Sequence, residues 1–329
     1  MIFIGIEIGA KKCAVTLGSV SKENIKILYK CNIHLTREYP VHGMLEALVA
    51  DVKECIEVAS TNYDKKVMGI GISCCGPVDS KNGIILSPPN LPFWEHVEIR
   101  SFIETRTGLK TWLCNDANAC ALAEWKYGAG KDASNMIFIT FNTGLGAGLI
   151  LNNQLFIGAN DMAGEIGHIR LADYGPVGGG KAGSFEGFCS SGGIVSLVKA
   201  KAMEKLQMGE SPSICPDMES LAEINADTVR IAADENDEIV LEVLKTVGYQ
   251  LGKGLSMMVD LLNPEKVVIG GIFIKFYDKI WPYTKEMLQK ESLFRSLRQC
   301  QVVPASFSGS VGNIAALLVG QYNWMTENE

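Results

Sequence analysis

The chain is poor in the patterns that mark membrane, nucleic-acid-binding and disulfide-bonded proteins. No apolar run in the sequence approaches the about 20 consecutive residues that a membrane-spanning helix needs, so membrane insertion is not expected. None of the 30 lysines and arginines falls in a long tract, and the formal net charge is −7. A nucleic-acid partner, whose phosphates require clustered cations, is therefore not expected. Histidine is scarce, four in all, too few for a histidine-rich metal cluster. The ten cysteines (Cys13, Cys31, Cys55, Cys74, Cys75, Cys114, Cys120, Cys189, Cys215 and Cys300) include no C-x-x-C pair and sit mostly in apolar stretches. Buried free thiols in a reducing compartment are the expectation. The opening segment Met1–Lys12 is apolar but lacks a basic leader and reads at once as a strand and turn. No secretory signal is expected, and the inferred location is cytoplasmic.

What is present suits a globular chain with ample core: 47% hydrophobic and 20% charged residues over 329 positions. That length exceeds what a single core usually serves, so two domains with a cleft between them are expected. Clefts of that kind bind small molecules.

Strand patterns at Ile2–Ile8, Cys13–Ser19 and Ile25–Asn32, broken by the Gly9-Ala10-Lys11-Lys12 turn and a polar stretch, predict an antiparallel meander. Val41–Thr61 has apolar residues at Met44, Leu45, Leu48, Val49 and Val52, the spacing of one buried helical face, and Lys66–Ser73 returns to strand. Thr111–Cys114 reads as strand and Ala117–Tyr127 as helix. The order then restarts with strand Met136–Phe141, a tight glycine turn at Thr143–Gly148, strand Leu149–Leu151, a third strand near Ile169 and a long helical region. Helix Ile239–Leu262, strand Lys266–Ile269 running into Gly270-Gly271, and a last helix Gly312–Met325 complete the chain. One order of elements used twice, without residue identity between the copies, predicts a two-lobed α/β fold of duplicated β-β-β-α-β-α units. The expected domains are 1–115, completed by the C-terminal helix at about 312–329, and 116–311.

The residues able to carry chemistry cluster in a few segments. Thr143-Gly144-Leu145-Gly146-Ala147-Gly148 lacks side-chain bulk where backbone N–H groups could line up around a phosphate, although most glycine turns are only turns. Cys114-Asn115-Asp116-Ala117-Asn118-Ala119 ends a strand and enters a helix, so Asp116 reads either as a cap or as a carboxylate able to take a proton from a substrate hydroxyl. Asn115 would hydrogen-bond a hydroxyl. Glu165 and His168, three apart between Gly164 and Gly167, together with Glu186, form the array of acceptors and donors that a sugar requires. Ser87-Pro88-Pro89-Asn90-Leu91-Pro92-Phe93-Trp94 reads as a rigid loop carrying one amide and an aromatic platform, or as a proline-ordered surface loop.

These motifs resemble the ROK family, the bacterial sugar kinases and related repressors of the actin-like ATPase superfamily, nearly end to end. Gly5-Ile6-Glu7-Ile8-Gly9-Ala10-Lys11-Lys12 resembles the family's first phosphate motif, Gly71 to Asp79 its glycine-proline loop, and Ser87 to Trp94 its sugar loop. Asn115 to Ala119 matches the motif carrying the catalytic base; Thr143 to Gly148, with Gly158, Gly164, Gly167 and His168, matches the family signature; Val268-Ile269-Gly270-Gly271 resembles the adenosine motif. The resemblance implies a two-lobed actin-like (ribonuclease H-like) fold and an ATP-dependent, magnesium-dependent kinase of the 6-hydroxyl of a hexose, glucose first, working as a homodimer. It implies that Asn90, Asn115, Asp116, Glu165, His168 and Glu186 hold the sugar, with Asp116 as general base. ATP would lie on Gly9, Ala10, Lys11, Lys12, Thr143, Gly144, Gly146, Gly270 and Gly271.

The chain departs from the family pattern in three places. Where the family carries three zinc-binding cysteines, this sequence has Val177, Gly179 and Ser184, so no zinc is expected and His168 is left to the sugar alone. The first-motif aspartate is Glu7, long enough to reach Mg²⁺ through water, and Ala10-Lys11 replaces Gly-Thr. Cys75 replaces a proline of the glycine-proline loop. Rival readings are an N-acetylmannosamine or N-acetylglucosamine kinase, a sugar-binding sensor that has lost turnover, a DNA-binding repressor, and an actin-like ATPase with a protein partner. The repressor reading calls for a helix-turn-helix segment ahead of the first strand.

Overall fold

The computed structural model describes residues 1–307 and 311–328. The chain divides into two compact units, one made of Met1–Ser134, Gly148–Ala163 and Ser306–Glu329, the other of Asn135–Ala147 and Gly164–Ala305. The line therefore falls elsewhere than 115/116, and the helix that follows Asn115 stays with the first unit, where it packs on the C-terminal helix.

In the first unit, strands β1 (Ile2–Ile8), β2 (Lys12–Val20) and β3 (Ile25–Lys30) form the expected meander, with β4 (His34–Leu35) beside β2. Helix α1 (Val41–Tyr63) crosses to β5 (Val67–Cys74); a small ribbon of β6 (Val78–Asp79) and β7 (Ile84–Ile85), helix α2 (Ile99–Thr107), β8 (Thr111–Asn115) and helix α3 (Asp116–Tyr127) follow. The sheet order is β3-β2-β1-β5-β8, with β1, β5 and β8 parallel. Strand alternation splits β1 between two faces. Ile2, Ile4, Ile6 and Ile8 join Met44, Leu48 and Val52 of α1 in one core, while Phe3, Gly5 and Glu7 turn toward α11 (Val311–Asn328).

Helix α11 approaches the sheet through glycine. A Cβ on Gly5 would stand 2.8 Å from the Leu317 nitrogen, and one on Gly71 would stand 2.0 Å from the Ala316 carbonyl oxygen and 2.4 Å from the Gly320 nitrogen. These are backbone atoms, so no side-chain rotation could relieve the clash.

The second sheet has the order β11-β10-β9-β14-β15, from β9 (Met136–Phe141), β10 (Leu145–Leu151), β11 (Gln154–Phe156), β14 (Lys266–Gly271) and β15 (Gln301–Pro304). Two sequence expectations are corrected here. The turn after β9 occupies Asn142–Gly144 only, and Gly146 and Gly148 lie within β10. A Cβ on Gly148 would meet the Ala117 carbonyl oxygen at 2.7 Å, so this glycine serves close packing on α3. The third strand is β11 and not a segment near Ile169, because Asn152 and Asn153 both take positive φ (53° and 62°) and close a two-residue hairpin.

In the second unit, hairpin β12 (Val177–Gly178) and β13 (Lys181–Ala182) leads to α4 (Phe185–Phe188), α5 (Ser191–Gln207), α6 (Ala226–Asp234) and α7 (Glu238–Leu262). Short α8 (Ile272–Lys275) follows β14, then α9 (Tyr277–Glu291) and α10 (Phe294–Gln299). Among the described residues no helix is long and apolar enough to cross a membrane.

Gly71→Ala is expected to destabilise the chain by about 1–3 kcal/mol, the range for overpacked cores, because α11 must lift off β5 to admit one methyl group. Urea unfolding measures the difference; an unchanged midpoint would refute the contact.

Candidate functional site

The candidate residues form two groups, one in each compact unit. In the first, parallel register aligns Ile8 with Cys74 and Cys74 with Asn115. This C-terminal edge of the parallel strands is where open α/β sheets take ligands. Helix α3 begins there, and capping falls to Asn115, whose Oδ1 accepts from the N–H groups of Ala117 (2.9 Å) and Asn118 (3.4 Å). The amide nitrogen of Asn115 rests beside Gly76, where a Cβ would stand 2.6 Å away. Asp116, the first helical residue, is exposed, and its Oδ1 accepts from Ala117 N–H at 2.8 Å. One turn on, burial pushes the Cys120 thiol well above its ordinary value, and the charges of Asp116 and Glu7 add to the rise. Both carboxylates thus act on one thiol.

Glu7 lies on the α11 face of β1, and a Cβ on Gly312, in the first turn of that helix, would stand 2.3 Å from Glu7 Oε1. Burial raises the Glu7 carboxyl above its ordinary value, while the ammonium groups of Lys12 and Lys30 pull it down. The Gly9–Lys12 turn is closed by Gly9 N–H to Lys12 O at 3.0 Å, and Thr36 donates to the carbonyls of Gly9 (2.7 Å, from Oγ1) and Lys11 (3.1 Å, from N–H). Lys11 and Lys12 project outward. Asn90 is exposed in its loop, which Ser87 N–H to Trp94 O closes at 3.2 Å. Trp94 is only 2% exposed and belongs to the core, so the ring offered to solvent is Phe93, 86% exposed.

The second unit gathers the other set. Glu186 on α4 accepts at Oε2 from Leu145 N–H (3.0 Å), which holds α4 against the glycine turn, and a Cβ on Gly144 would stand 2.8 Å from the same oxygen. A Cβ on Gly167 would meet the Leu145 carbonyl oxygen at 2.4 Å. The 3₁₀ turn Ile166–His168 therefore lies on the same hairpin, with Glu165 and His168 exposed at its ends. Register sets Gly270 opposite Thr140 and Gly271 opposite Phe141, so the two glycine motifs are neighbours. Ser191 N–H donates to Asn142 O at 2.8 Å and brings the N-terminus of the 17-residue α5 to the same turn. The helical region read from Gly193 onward is this helix, but its N-terminus was not expected at the site; the run Ser190-Ser191-Gly192-Gly193 signals it, with Ser190 Oγ accepting from Gly193 N–H at 3.0 Å. Beside it a cavity of about 90 Å³ is lined by Asp227, Arg230, Lys275 and Phe276 among others.

His168 stands on a hairpin that holds no metal ligand at the three cysteine positions. Gly179 and Gly180, both at positive φ (56° and 74°), form a two-residue turn between β12 and β13. The His168 ring lies over this turn, 3.1 Å from where a Gly179 Cβ would be. Lys181 Nζ donates to the His168 carbonyl (2.7 Å), and Arg170 donates to the Ala182 carbonyl (3.0 Å). Buried Ser184 donates from Oγ to Gly178 O (2.9 Å) and accepts from Gly187 N–H (3.0 Å). A valine, a glycine and a serine engaged in this way do not fit zinc, which requires deprotonated soft ligands.

A larger cavity in the first unit, about 600 Å³ and lined by Arg100, Trp112, Asp161, Tyr322 and Glu327 among others, includes none of the candidate residues. Its volume alone carries no chemistry, and the strand-end geometry is the better guide.

Residues 3–321 match the ROK family. The chain belongs to the ROK family. Its ROK relatives are of two kinds. It is 32% identical over 265 residues to a glucokinase of Halalkalibacterium halodurans, covering 80% of this chain and 77% of that protein. It is 29% identical over 270 residues to a putative xylose repressor of a Caldicellulosiruptor species, covering 82% of this chain and 65% of that protein, just under two thirds of its length. Among solved structures, a ROK family glucokinase from Streptomyces griseus in complex with glucose and AMPPNP is 26% identical, with a TM-score of 0.74 over 98% of this chain and 100% of that one.

Two outcomes follow from the geometry of this ROK chain. A carboxyl raised by burial binds its proton more readily folded than unfolded, so its contribution to stability falls as pH rises through the folded value. Glu7→Gln is therefore expected to melt higher than wild type at neutral pH, the gap closing as pH falls below the ordinary 4.5; thermal melts across pH test this, and a variant that melts lower at neutral pH would refute it. Ser184→Ala, which strands a buried carbonyl and a buried N–H, is expected to cost about 1–3 kcal/mol in urea unfolding.

Proposed function

We propose that this chain is an ATP-dependent sugar kinase that phosphorylates the 6-hydroxyl of a hexose, glucose first, with Asp116 as the general base. The observation that carries the reading is the exposed Asp116 carboxylate at the first position of α3, on the C-terminal edge of the parallel strands, with capping delegated to Asn115. A base so placed can accept the hydroxyl proton as the oxygen attacks phosphorus. Asn90, Asn115, Glu165, His168 and Glu186 would supply the further hydrogen bonds of the sugar; Glu186 keeps one oxygen on Leu145. A site built to pair each hydroxyl discriminates by what it leaves unpaired.

For ATP, the Asn142–Gly144 turn, the N-terminus of the α5 helix and Gly270-Gly271 bring glycine surface and the positive end of a helix to one place, and the neighbouring cavity with Arg230 and Lys275 would take the nucleoside end. The Gly9–Lys12 turn and its two lysines add positive charge for the outer phosphates. The chemistry of Glu7 and Asp116, two carboxylates, fits Mg²⁺, which is typically held by one or two carboxylates together with phosphates. Glu7 would hold that ion through water, and the ion would neutralise charge on the transferring phosphoryl group. No zinc enters the reading, since Ser184 and Lys181 brace the loop beneath His168.

Two observations favour a second reading, a sugar sensor without turnover. Glu7 is drawn against Gly312, and one relative of comparable identity is described as a repressor.

Asp116→Asn separates the two. Expected is a loss of about 10²–10⁴-fold in turnover on the best sugar of a hexose and N-acetylhexosamine panel, with sugar affinity by calorimetry nearly unchanged. Wild-type turnover in the variant would remove Asp116 from the mechanism, and a silent wild-type enzyme that still binds sugar would support the sensor.

A further inference from the structure

Apart from both groups, thiols and carboxylates meet where the end of β3 passes over α1. On α1, Asp51, Glu54 and Cys55 fall at i, i+3 and i+4 and share one helical face. Cys31 follows β3 directly, its backbone fixed by N–H to Val15 O at 3.0 Å. The Cys31 sulfur and one oxygen each of Asp51 and Glu54 all lie within 4.8 Å of one another. Cys55 Sγ stands 3.5 Å from Cys31 Sγ. Cys31, Cys55 and Asp51 are buried, and Glu54 opens to solvent, which leaves an entry path.

Two more side chains steady the carboxylates from outside. His34 Nε2 is 2.8 Å from Asp51 Oδ2, and the Tyr29 hydroxyl donates to Glu54 Oε1. Among the described residues no lysine or arginine forms an ion pair with Asp51 or Glu54, and only His34 pairs with Asp51. A buried thiol pair in an ordinary core does not call for two carboxylates, and a carboxylate this buried usually has a cation.

We propose that Cys31, Asp51 and Glu54, with Cys55 as fourth donor, bind a thiophilic divalent cation of the zinc type. Zinc takes cysteine sulfur at about 2.3 Å and carboxylate oxygen at about 2.0–2.2 Å in a tetrahedral shell, so Cys31, Asp51 and Glu54, now within 4.8 Å of one another, would draw in around the ion, with Cys55 joining from beside Cys31. Magnesium and calcium prefer all-oxygen shells and are poor matches for two sulfurs. Binding releases the two thiol protons to solvent and changes no oxidation state. His34 and Tyr29 are the outer partners that orient ligating carboxylates in such sites. The cation would tie the edge of the meander to α1 and is independent of the kinase reading.

The test titrates the full chain, reduced and stripped with chelator, with Cd²⁺, following the thiolate-to-cadmium ultraviolet band. Expected is saturation at one equivalent, reversed by Zn²⁺ and not by Mg²⁺, with the band lost in large part in Cys31→Ser and in Cys55→Ser. Asp51→Asn keeps the band and weakens binding about 10-fold or more. In Glu54→Gln, an exposed position that leaves the core intact, Zn²⁺ raises the melting temperature less than in wild type. No saturable band would overturn the proposal. So would a band that both cysteine variants retain, which marks adventitious binding at other thiols, or a Cys31–Cys55 disulfide that forms in air whether or not Zn²⁺ is present.

Discussion

Helix α11 can rest on β1, β2 and β5 because glycine stands beneath it at Gly5, Gly18 and Gly71. The approach is backbone to backbone at Gly71, and Gly320 on the helix side reciprocates by clearing Phe3. Side chains larger than hydrogen at these points would hold the helix off the sheet. The contact fixes more than packing, since the odd-numbered residues of β1 face the helix and the third of them is Glu7. Its carboxylate meets the first turn of α11 at Gly312, and Thr16 on β2 bonds Asn313 at 3.1 Å. The chain enters this helix along a path held by buried Glu124, whose oxygens accept from Ala129, Ser306 and Phe307 N–H groups at 2.8, 3.1 and 2.8 Å. The environment of the residue proposed to hold Mg²⁺ through water is thus set by α11.

In the second unit the loop beneath His168 is braced by hydrogen bonds. A Gly-Gly hairpin costs conformational entropy, yet only glycine readily takes positive φ at both central positions, and the short ribbon then brings Gly178 O and Lys181 to where they are needed. Ser184 contributes two neutral hydrogen bonds, and Lys181 adds one from a charged group. Each is weaker than a zinc–thiolate bond, but none depends on metal supply or pH-dependent thiolate formation.

The parts of this fold legible in the sequence were those whose signals are local. The bounds of β1 and β9 coincide with their hydrophobic runs, and α7 with its apolar stripe before Asn263-Pro264. Asparagine-rich and glycine-rich turns were harder, because Gly148 resembles a turn residue until the neighbouring α3 shows why the strand lacks a side chain there. Asn115 and Asp116 are equivalent as caps by composition, and only backbone geometry assigned the duty to Asn115. α9 carries Pro282 within it and β15 is four residues long, so neither offers a clean period. The Asp51, Glu54 and Cys55 face was visible as helical spacing, but its meeting with Cys31 depends on the meander crossing α1.

Family membership alone does not decide between catalysis and sensing here, because glucokinases and repressors share this frame at similar identity. What separates them physically is the demand each places on charge. A sensor needs hydrogen-bond complementarity to a neutral sugar, which the residues proposed to hold the sugar would supply without a phosphate. A kinase must in addition stabilise charge that grows on a transferring phosphoryl group. The backbone donors around Asn142–Gly144 and the α5 N-terminus have little to offer a neutral hexose beyond that polar set, and their convergence with Gly270-Gly271 is what an anion would use. Glu7 is the counterweight, since a carboxylate drawn into a half-buried pocket serves a water-bridged cation only while ionised, and burial works against that state. Lys12 and Lys30 oppose the burial, so the balance between them at this one residue would set how well the proposed magnesium role can be filled.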